Sequence, residues 1–258
     1  LAMSFFADLD VSVIDKLPPN RTPIKTKLIN AGRRDDIEAF VRHTVQKGQQ
    51  VYWVCPLIEE SETLQLQTAV DTHIELQVAF PEYSIGLVHG RLKAAEKAAE
   101  MQKFIRNEHQ VLVATTVIEV GVDVPNASLM VIEHAERMGL AQLHQLRGRV
   151  GRGQAASVCV LMFTEPLSEL AKARLKVIYE HTDGFEIARQ DLNIRGPGEF
   201  LGAKQSGVPL LRFANLEEDV DLLEKARDVA QSLIANRSEV VEKHLQRWLA
   251  SREAYLGV

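Results

Sequence analysis

Short apolar runs alternate with amphipathic helical segments up to about residue 164, and this alternation constrains the fold more than any other feature. Val51–Cys55 is one such run, of the kind found in strands that are buried on both faces. In the helical segment before it, Ile37, Val41 and Val45 share one face, and Gly48 is the predicted stop. The pattern predicts strands at 24–29, 51–55, 84–89, 111–114, 129–133 and 158–163, and helices at 33–47, 61–80, 94–107 and 140–149. We therefore expect an α/β fold, with a parallel sheet covered by helices on both faces.

The pattern changes to helices alone after residue 163. Helices predicted at 166–181 and 185–193 form a hairpin that is broken at Asp183 and Gly184, and a loop with four glycines follows between Arg195 and Gly207. Two more amphipathic helices follow residue 216. Three prolines between residues 17 and 23 exclude a helix or a central strand there. The chain is thus expected to divide into a connector (1–23), an α/β domain (24–164), a helical hairpin and loop (165–212) and C-terminal helices (213–258).

An ordered arginine motif follows the fifth predicted strand. It has the pattern Q-x-x-G-R-x-G-R, in which Gln145, Arg149 and Arg152 carry the polar side chains. If 140–149 is helical, Gln145 and Arg149 lie one turn apart on the same face. Guanidinium groups suit phosphate oxygens, and in phosphoryl transfer they stabilise the charge of the transferring group. A solvated face at a helix end is the alternative, but the ordered pattern favours a nucleotide site.

Two further loops contain groups that suit phosphate. Thr115, Thr116, Gly121 and Asp123 follow a strand, and they offer hydroxyl groups, a tight backbone and a carboxylate. An ordinary strand-to-helix turn is the alternative for this segment.

His89, Gly90 and Arg91 follow another strand and could hold a nucleic-acid phosphate, although a lone histidine such as His89 is more often structural. No cluster of metal ligands surrounds His89 in the sequence, so no metal site is predicted. The net charge of the chain is −5, but residues 137–212 carry +4, and phosphate affinity depends on such local fields.

Several motifs are missing from the sequence. It has no Gly-Lys dipeptide, and hence no P-loop lysine, and no Asp-Glu dipeptide. A chain with phosphate-sensing arginines but nothing to cradle a triphosphate is best explained as half of a composite ATP site.

Composition excludes a membrane protein and favours an intracellular one. No apolar run reaches the length of a membrane span, and no signal peptide is evident. Cys55 and Cys159 lie in strand-like runs, so we expect buried free thiols and a reducing, cytoplasmic environment.

Together these residues resemble the second RecA-like lobe of superfamily 2 helicases. Residues 89–91 resemble motif IVa, 115–125 motif V, and 145–152 motif VI. The sequence of residues 139–153 is similar to the corresponding sequences of bacterial branch-migration helicases and of transcription-repair coupling factors. Pro197, where coupling factors usually carry alanine, and an end soon after Trp248 favour the former. The first residues resemble the segment that follows motif III, so we expect the chain to begin inside a longer protein.

The resemblance implies that ATP and Mg²⁺ are held mainly by a first RecA-like lobe that is absent from this chain. Arg149 and Arg152 would reach the γ-phosphate, and Gln145 would couple the nucleotide state to DNA contact. The remaining implied roles are nucleotide binding by Gly121 and Asp123, DNA binding by His89, Gly90, Arg91, Thr115 and Thr116, and translocation by Arg195 and Gln205.

The implied function is that of a bacterial motor that moves on double-stranded DNA, branch-migrates and reverses stalled replication forks in recombination and repair. Its partners would be forks and Holliday junctions, together with the absent lobe and a wedge domain, and the chain alone would be inert as an ATPase. Three alternatives stay open: the equivalent lobe of a coupling factor, a free-standing DNA- or partner-binding module with a helicase-like fold, and a Rossmann-type nucleotide enzyme. The absent G-x-G-x-x-G fingerprint disfavours the last of these.

Overall fold

The structure, a computed structural model, describes residues 23–56, 62–115, 124–153, 155–195 and 220–249. The chain divides into two compact units, Leu1–Gly202 and Ala203–Val258. The strands are β1 (Lys25–Asn30), β2 (Gln50–Cys55), β3 (Ile85–Val88), β4 (Val111–Thr115), β5 (Ala127–Ile132) and β6 (Val158–Phe163). The helices of the first unit are α1 (Arg34–Gln46), α2 (Glu62–Ala79), α3 (Ala94–Ile105), α4 (Leu140–Arg147), α5 (Glu169–Glu180) and α6 (Gly184–Arg195). The second unit contains α7 (Val220–Asn236) and α8 (Ser238–Leu249).

Within the described residues, the strands form one six-stranded sheet in the order β1-β6-β5-β2-β4-β3. All the neighbouring strands in it are parallel. The strands β2, β4 and β5 are buried along their whole length, which explains why they appear in the sequence as nearly continuous apolar runs. The predicted α/β fold with a parallel sheet is confirmed.

Each face of the sheet has its own hydrophobic core. Neighbouring strand residues point to opposite faces, so Tyr52 belongs to one core and Trp53 to the other. Phe104 of α3, Leu143 of α4 and Ile178 of α5 pack in the core that contains Tyr52. The helices α1 and α2 contribute to the second core. The prediction that helices cover both faces is therefore confirmed.

The predicted end of the fourth helix was wrong by two residues, because α4 ends at Arg147 and not at residue 149. The Gly148 N–H still donates to the carbonyl four residues back (3.0 Å), but the Arg149 N–H donates to Leu146, three residues back (2.9 Å). A last turn of this kind is tighter than an α-helix. Gln145 and Arg149 are thus not one turn apart on a continuous helix.

The helical hairpin forms as predicted, but its helices have different starts. The helix α5 begins at Glu169 and not at Pro166, because the Ser168 hydroxyl accepts a hydrogen bond from the Ala171 N–H (3.1 Å) and caps the helix. An Asp183 carboxylate oxygen accepts from the Phe185 N–H (2.9 Å) at the start of α6.

Several predicted segments lie outside the described residues. They are most of the 1–23 connector, the glycine-rich loop beyond Arg195, and the end of the C-terminal helical segment. Among the helices that the structure describes, none has the length and apolar character that a membrane span requires.

Candidate functional site

Arg147, the last residue of α4, is buried and joins this helix to the α5–α6 hairpin. Its side chain is 3% exposed. Its Nη1 donates to the carbonyl oxygens of Ile178 (2.7 Å) and His181 (2.9 Å), and its Nη2 lies 3.4 Å from that of Thr182. The last carbonyls of a helix lack partners inside the helix and form the negative end of its dipole. The guanidinium therefore acts as a charged cap on the end of α5.

Two more contacts complete this group, which we call the Arg147 joint: Arg147 with the carbonyls of residues 178, 181 and 182, and with the side chains of Thr26 and His144. Nη1 lies 3.3 Å from the Thr26 hydroxyl of β1, and Nη2 lies 3.0 Å from Nδ1 of His144, one turn earlier on α4. The His144 ring packs against the first residue of α6, where a Cβ on Gly184 would come within 3.0 Å of Nε2. Arg147 thus ties β1, α4 and the hairpin together, and among the described residues its hydrogen-bond acceptors include no carboxylate.

The arginine motif continues directly from this joint. Gln145 and Arg152 are exposed and Arg149 is half-buried. Immediately after the motif, Gly153 lies so close to Pro125 that a Cβ would come 2.3 Å from the proline carbonyl oxygen. Only a residue without a side chain fits there. The end of segment 115–125, which resembles motif V, therefore lies next to Gly153, directly after segment 145–152, which resembles motif VI. Gly121 and Asp123 lie outside the described residues.

The other predicted residues lie at the opposite edge of the sheet. Thr115 ends β4, and His89 follows the neighbouring strand β3. The Thr115 hydroxyl and His89 Nδ1 are buried and have no hydrogen-bond partner among the described residues. Gly90 and Arg91 beside them are exposed, and Thr116 lies outside the described range.

The predicted residues therefore fall into two groups. Pro125 lies before the start of β5, whereas Thr115 lies at the end of β4, and in a parallel sheet these are opposite edges. The strand β4 has five residues, so its two ends lie about 17 Å apart.

Burial lowers the pKa of His89, and the positive charges of Lys97 and Arg91 lower it further. His89 is thus held in its neutral form, in which one ring nitrogen donates and the other accepts.

A buried acidic group at the end of β5 was not predicted from the sequence. Glu133 has a side chain that is 8% exposed, and its Oε1 accepts from Nη1 of Arg34 (3.1 Å). Its Oε2 lies 3.4 Å from the Thr72 hydroxyl, and Arg34 also pairs with Glu75 (3.1 Å). Burial and the Glu133 charge raise the pKa of Cys55 to about 12, so this thiol is unreactive. A glutamate directly after an apolar strand was the one signal of this network in the sequence.

The turn between β5 and α4 is a second unpredicted feature. His134 has a positive φ of 47°, and its Nδ1 lies 3.2 Å from a Glu136 carboxylate oxygen. This hydrogen bond raises the pKa of His134. Arg174 of α5 donates to the Glu136 carbonyl oxygen (3.1 Å), so the hairpin also contacts this turn.

Both cysteines are free and buried, as predicted. The part of the chain that the structure describes contains no group of three or more His, Cys, Asp or Glu side chains that could hold a metal ion.

Comparison with known proteins supports the fold. Residues 33–154 match the family model of the helicase conserved C-terminal domain. Residues 181–248 match the C-terminal part of domain 3 of the ATP-dependent DNA helicase RecG. The strands β2 to β5 and the arginine motif lie within the first of these matches, and the fold is that of a RecA-like helicase C-terminal lobe.

Several curated proteins are similar to this chain over nearly its whole length. The chain is 53% identical over 255 residues to the ATP-dependent DNA helicase RecG of Acidithiobacillus ferridurans, and 54% identical over 259 residues to that of Pasteurella multocida. It is 53% identical over 256 residues to the RecG of Escherichia coli K12. The alignments cover 99%, 100% and 99% of this chain, and it spans 37% of the length of each relative.

A solved structure of RecG bound to a three-way DNA junction is 45% identical, with a TM-score of 0.67. The match covers 86% of this chain and 28% of that one. The chain is thus similar to RecG proteins over nearly its whole length.

Proposed function

We propose that this chain is the C-terminal motor half of an ATP-dependent translocase on double-stranded DNA, which branch-migrates and reverses stalled replication forks in recombination and repair. The observation that carries the proposal is the Arg147 joint. Arg147 lies inside the arginine motif, and its side chain donates hydrogen bonds to the hairpin. The similarity to RecG proteins over nearly the whole chain supports it.

The proposed division of labour follows the domains predicted from the sequence. Residues 24–164 act as the second RecA-like lobe, and residues 165–212 act as the translocation motif. We assign residues 1–23 as the connector to the first lobe and residues 213–258 as the C-terminal segment, in which the structure describes α7 and α8.

The nucleotide lies between this lobe and the first lobe. The first lobe makes most of the contacts with ATP and Mg²⁺. ATP supplies the free energy of movement when it is hydrolysed. In this proposal Arg149 and Arg152 reach the γ-phosphate, and Gly121 and Asp123 also bind the nucleotide. The exposed side chain of Arg152, next to the close contact of Gly153 with Pro125, supports this assignment.

DNA contacts lie at the other edge of the sheet. His89, Gly90, Arg91, Thr115 and Thr116 bind the DNA backbone, since a neutral imidazole and a hydroxyl can both donate to phosphate oxygens. The buried polar atoms of His89 and Thr115 without partners among the described residues support this role. The DNA partners are forks and Holliday junctions, and the protein works in the bacterial cytoplasm, where its substrate is.

The nucleotide and DNA sites need a mechanical link. Gln145 and Arg147 lie on the same short helix, so movement of the arginine motif is passed through the Arg147 joint to the hairpin. Arg195 ends α6, and Arg195 and Gln205 are the residues to which we assign translocation.

The nucleotide assignment is tested with Arg152→Ala in the intact protein. ATP turnover should fall roughly 10³-fold or more, which is what arginine fingers contribute, while DNA affinity stays unchanged. Arg106→Ala is the control, because this arginine is 70% exposed and far from the motif in sequence. Unchanged turnover in Arg152→Ala removes Arg152 from the nucleotide site.

The coupling assignment is tested with Gln205→Ala. DNA unwinding should fall more than ATP hydrolysis, because the proposed role of Gln205 is to transmit motion and not to bind the nucleotide. Equal losses in both activities place Gln205 in the nucleotide site.

A further inference from the structure

The protonation state of His144 is set by its neighbour Arg147. Their side-chain nitrogens, Nδ1 and Nη2, lie 3.0 Å apart. A guanidinium has donors only, so Nδ1 must accept this hydrogen bond. The His144 ring is therefore neutral and carries its proton on Nε2.

We propose that neutral His144 is a positioning residue of the motor, and that its protonation releases the hairpin from α4 and lowers the length of DNA unwound per ATP hydrolysed. This inference rests on the proposed function and adds a regulated step to it. Among the contacts described above, the hydrogen bonds from α4 to carbonyl oxygens of the hairpin are all made by Arg147. His144 fixes the direction of the guanidinium that makes them.

Three of the described contacts of His144 disfavour its charged form. A proton on Nδ1 would point at an N–H of Arg147, in place of a hydrogen bond. The imidazolium would also stand next to a second positive charge that is buried. Nε2 faces Gly184, where α6 begins, and the amino end of a helix disfavours a positive charge.

Other titratable groups lie on the elements around His144, and a carboxylate among them could favour the charged ring. His181 lies at the end of α5, and Asp183 and Glu186 lie at the start of α6. Asp183 accepts from a backbone N–H of α6, and Glu186 pairs with an arginine of the same helix at 3.1 Å. Cys159 behind Arg147 stays a neutral thiol, because burial raises its pKa to about 12. Both carboxylates therefore already have partners inside the hairpin.

The first test measures base pairs unwound per ATP hydrolysed by the intact protein on forked DNA between pH 5.0 and 8.5, a range that extends to acid pH because the charged form of His144 is disfavoured. The ratio should fall roughly fivefold or more toward acid pH, a typical size for coupling between two sites. His144→Gln should keep the neutral-pH ratio and lose the pH dependence, because its amide oxygen accepts from Arg147 and does not titrate. His144→Lys should have a low ratio at every pH.

His181→Gln is the matched control. It removes the neighbouring imidazole but keeps the main-chain carbonyl that accepts from Arg147. It should titrate like the natural protein, and a flat profile for this variant would move the pH dependence away from His144 and overturn the inference.

A second measurement does not depend on activity. Nitrogen-15 chemical shifts of the His144 ring near pH 7.5 should show a proton on Nε2 and none on Nδ1. A charged ring, or a proton on Nδ1, overturns the inference. An active protein whose ratio does not change with pH overturns the inference alone, whereas an intact protein without DNA-dependent ATPase or unwinding activity overturns the proposed function as well.

Discussion

Replacing Arg147 by methionine tests whether this residue holds the hairpin. Arg147→Met keeps most of the buried aliphatic volume and removes the guanidinium. Two short hydrogen bonds to main-chain carbonyls, at 2.7 and 2.9 Å, are lost and leave those carbonyls without a donor. Each unpaired buried carbonyl costs about 1–3 kcal/mol.

Relief from burying a cation offsets part of this loss, so the net decrease in the free energy of unfolding should be about 2–4 kcal/mol. For a chain of this size that corresponds to a fall in Tm of roughly 5–15 °C. Thermal and urea unfolding of the 258-residue chain, followed by circular dichroism, measure both quantities.

Two variants sharpen the comparison. Arg147→Lys keeps the charge but not the fork, so its loss should be intermediate. Arg106→Ala removes an arginine that is 70% exposed and should change stability by less than about 0.5 kcal/mol. If Arg147→Met costs no more than Arg106→Ala, the Arg147 joint does not hold the hairpin.

Three further predictions concern other parts of the first unit. In Gly153→Ala the new Cβ would lie 2.3 Å from the Pro125 carbonyl oxygen, so the backbone must move, and stability should fall by about 1–3 kcal/mol in urea unfolding. Gln50→Leu should cost about 2–4 kcal/mol in the same assay, since this fully buried amide donates to two main-chain carbonyls at 2.6 and 2.8 Å. His134 has a raised pKa because it hydrogen-bonds to Glu136, so its contribution to stability is fully present below pH 6.5 and is lost as the pH rises through the raised pKa. Unfolding experiments from pH 5.5 to 9 should show that His134→Asn removes this decline.

Each of these predictions has an outcome that contradicts it. A Gly153→Ala protein as stable as the natural one would mean that the close approach to Pro125 is not needed. A Gln50→Leu change that costs under 1 kcal/mol, on the order of a net single hydrogen bond, would remove Gln50 from its bridging role. An unaltered pH dependence in His134→Asn would mean that His134 does not gain its proton affinity from Glu136.

The strands could be located from the sequence to within about two residues, but their order in the sheet could not. Strands buried on both faces must be apolar throughout, which makes them visible as runs. Those runs resemble one another, and nothing local says that β1 pairs with β6 or that β2 lies between β5 and β4. The order depends on contacts between segments that are far apart along the chain.

The importance of Arg147 was missed, although the sequence contains a signal for it. Leu140, Leu143 and Arg147 lie at helical spacing on the buried face of α4. Arginine is rarely buried, so its residue type pointed away from that face. Its carbonyl acceptors are 31, 34 and 35 residues further along the chain and could not be inferred from local pattern.

The arrangement around the arginine motif could not be predicted from the sequence. The spacing of the motif predicts roles for Arg149 and Arg152, but not that Gly153, directly after the motif, and Thr115 lie at opposite ends of the strands. Thr116, Gly121, Asp123 and Gln205 lie outside the described residues, and their roles stay predictions.

The central claim is that this chain supplies one half of a composite ATP site. DNA-stimulated ATPase activity on forked DNA tests it most directly, measured for this chain alone and for the same chain joined to the upstream lobe and wedge of the intact protein. We expect activity only in the joined protein, and its loss in the Arg152→Ala form of that protein. ATP hydrolysis by the chain alone at a DNA-stimulated rate would contradict the composite site, and inactivity of both proteins would contradict the motor itself.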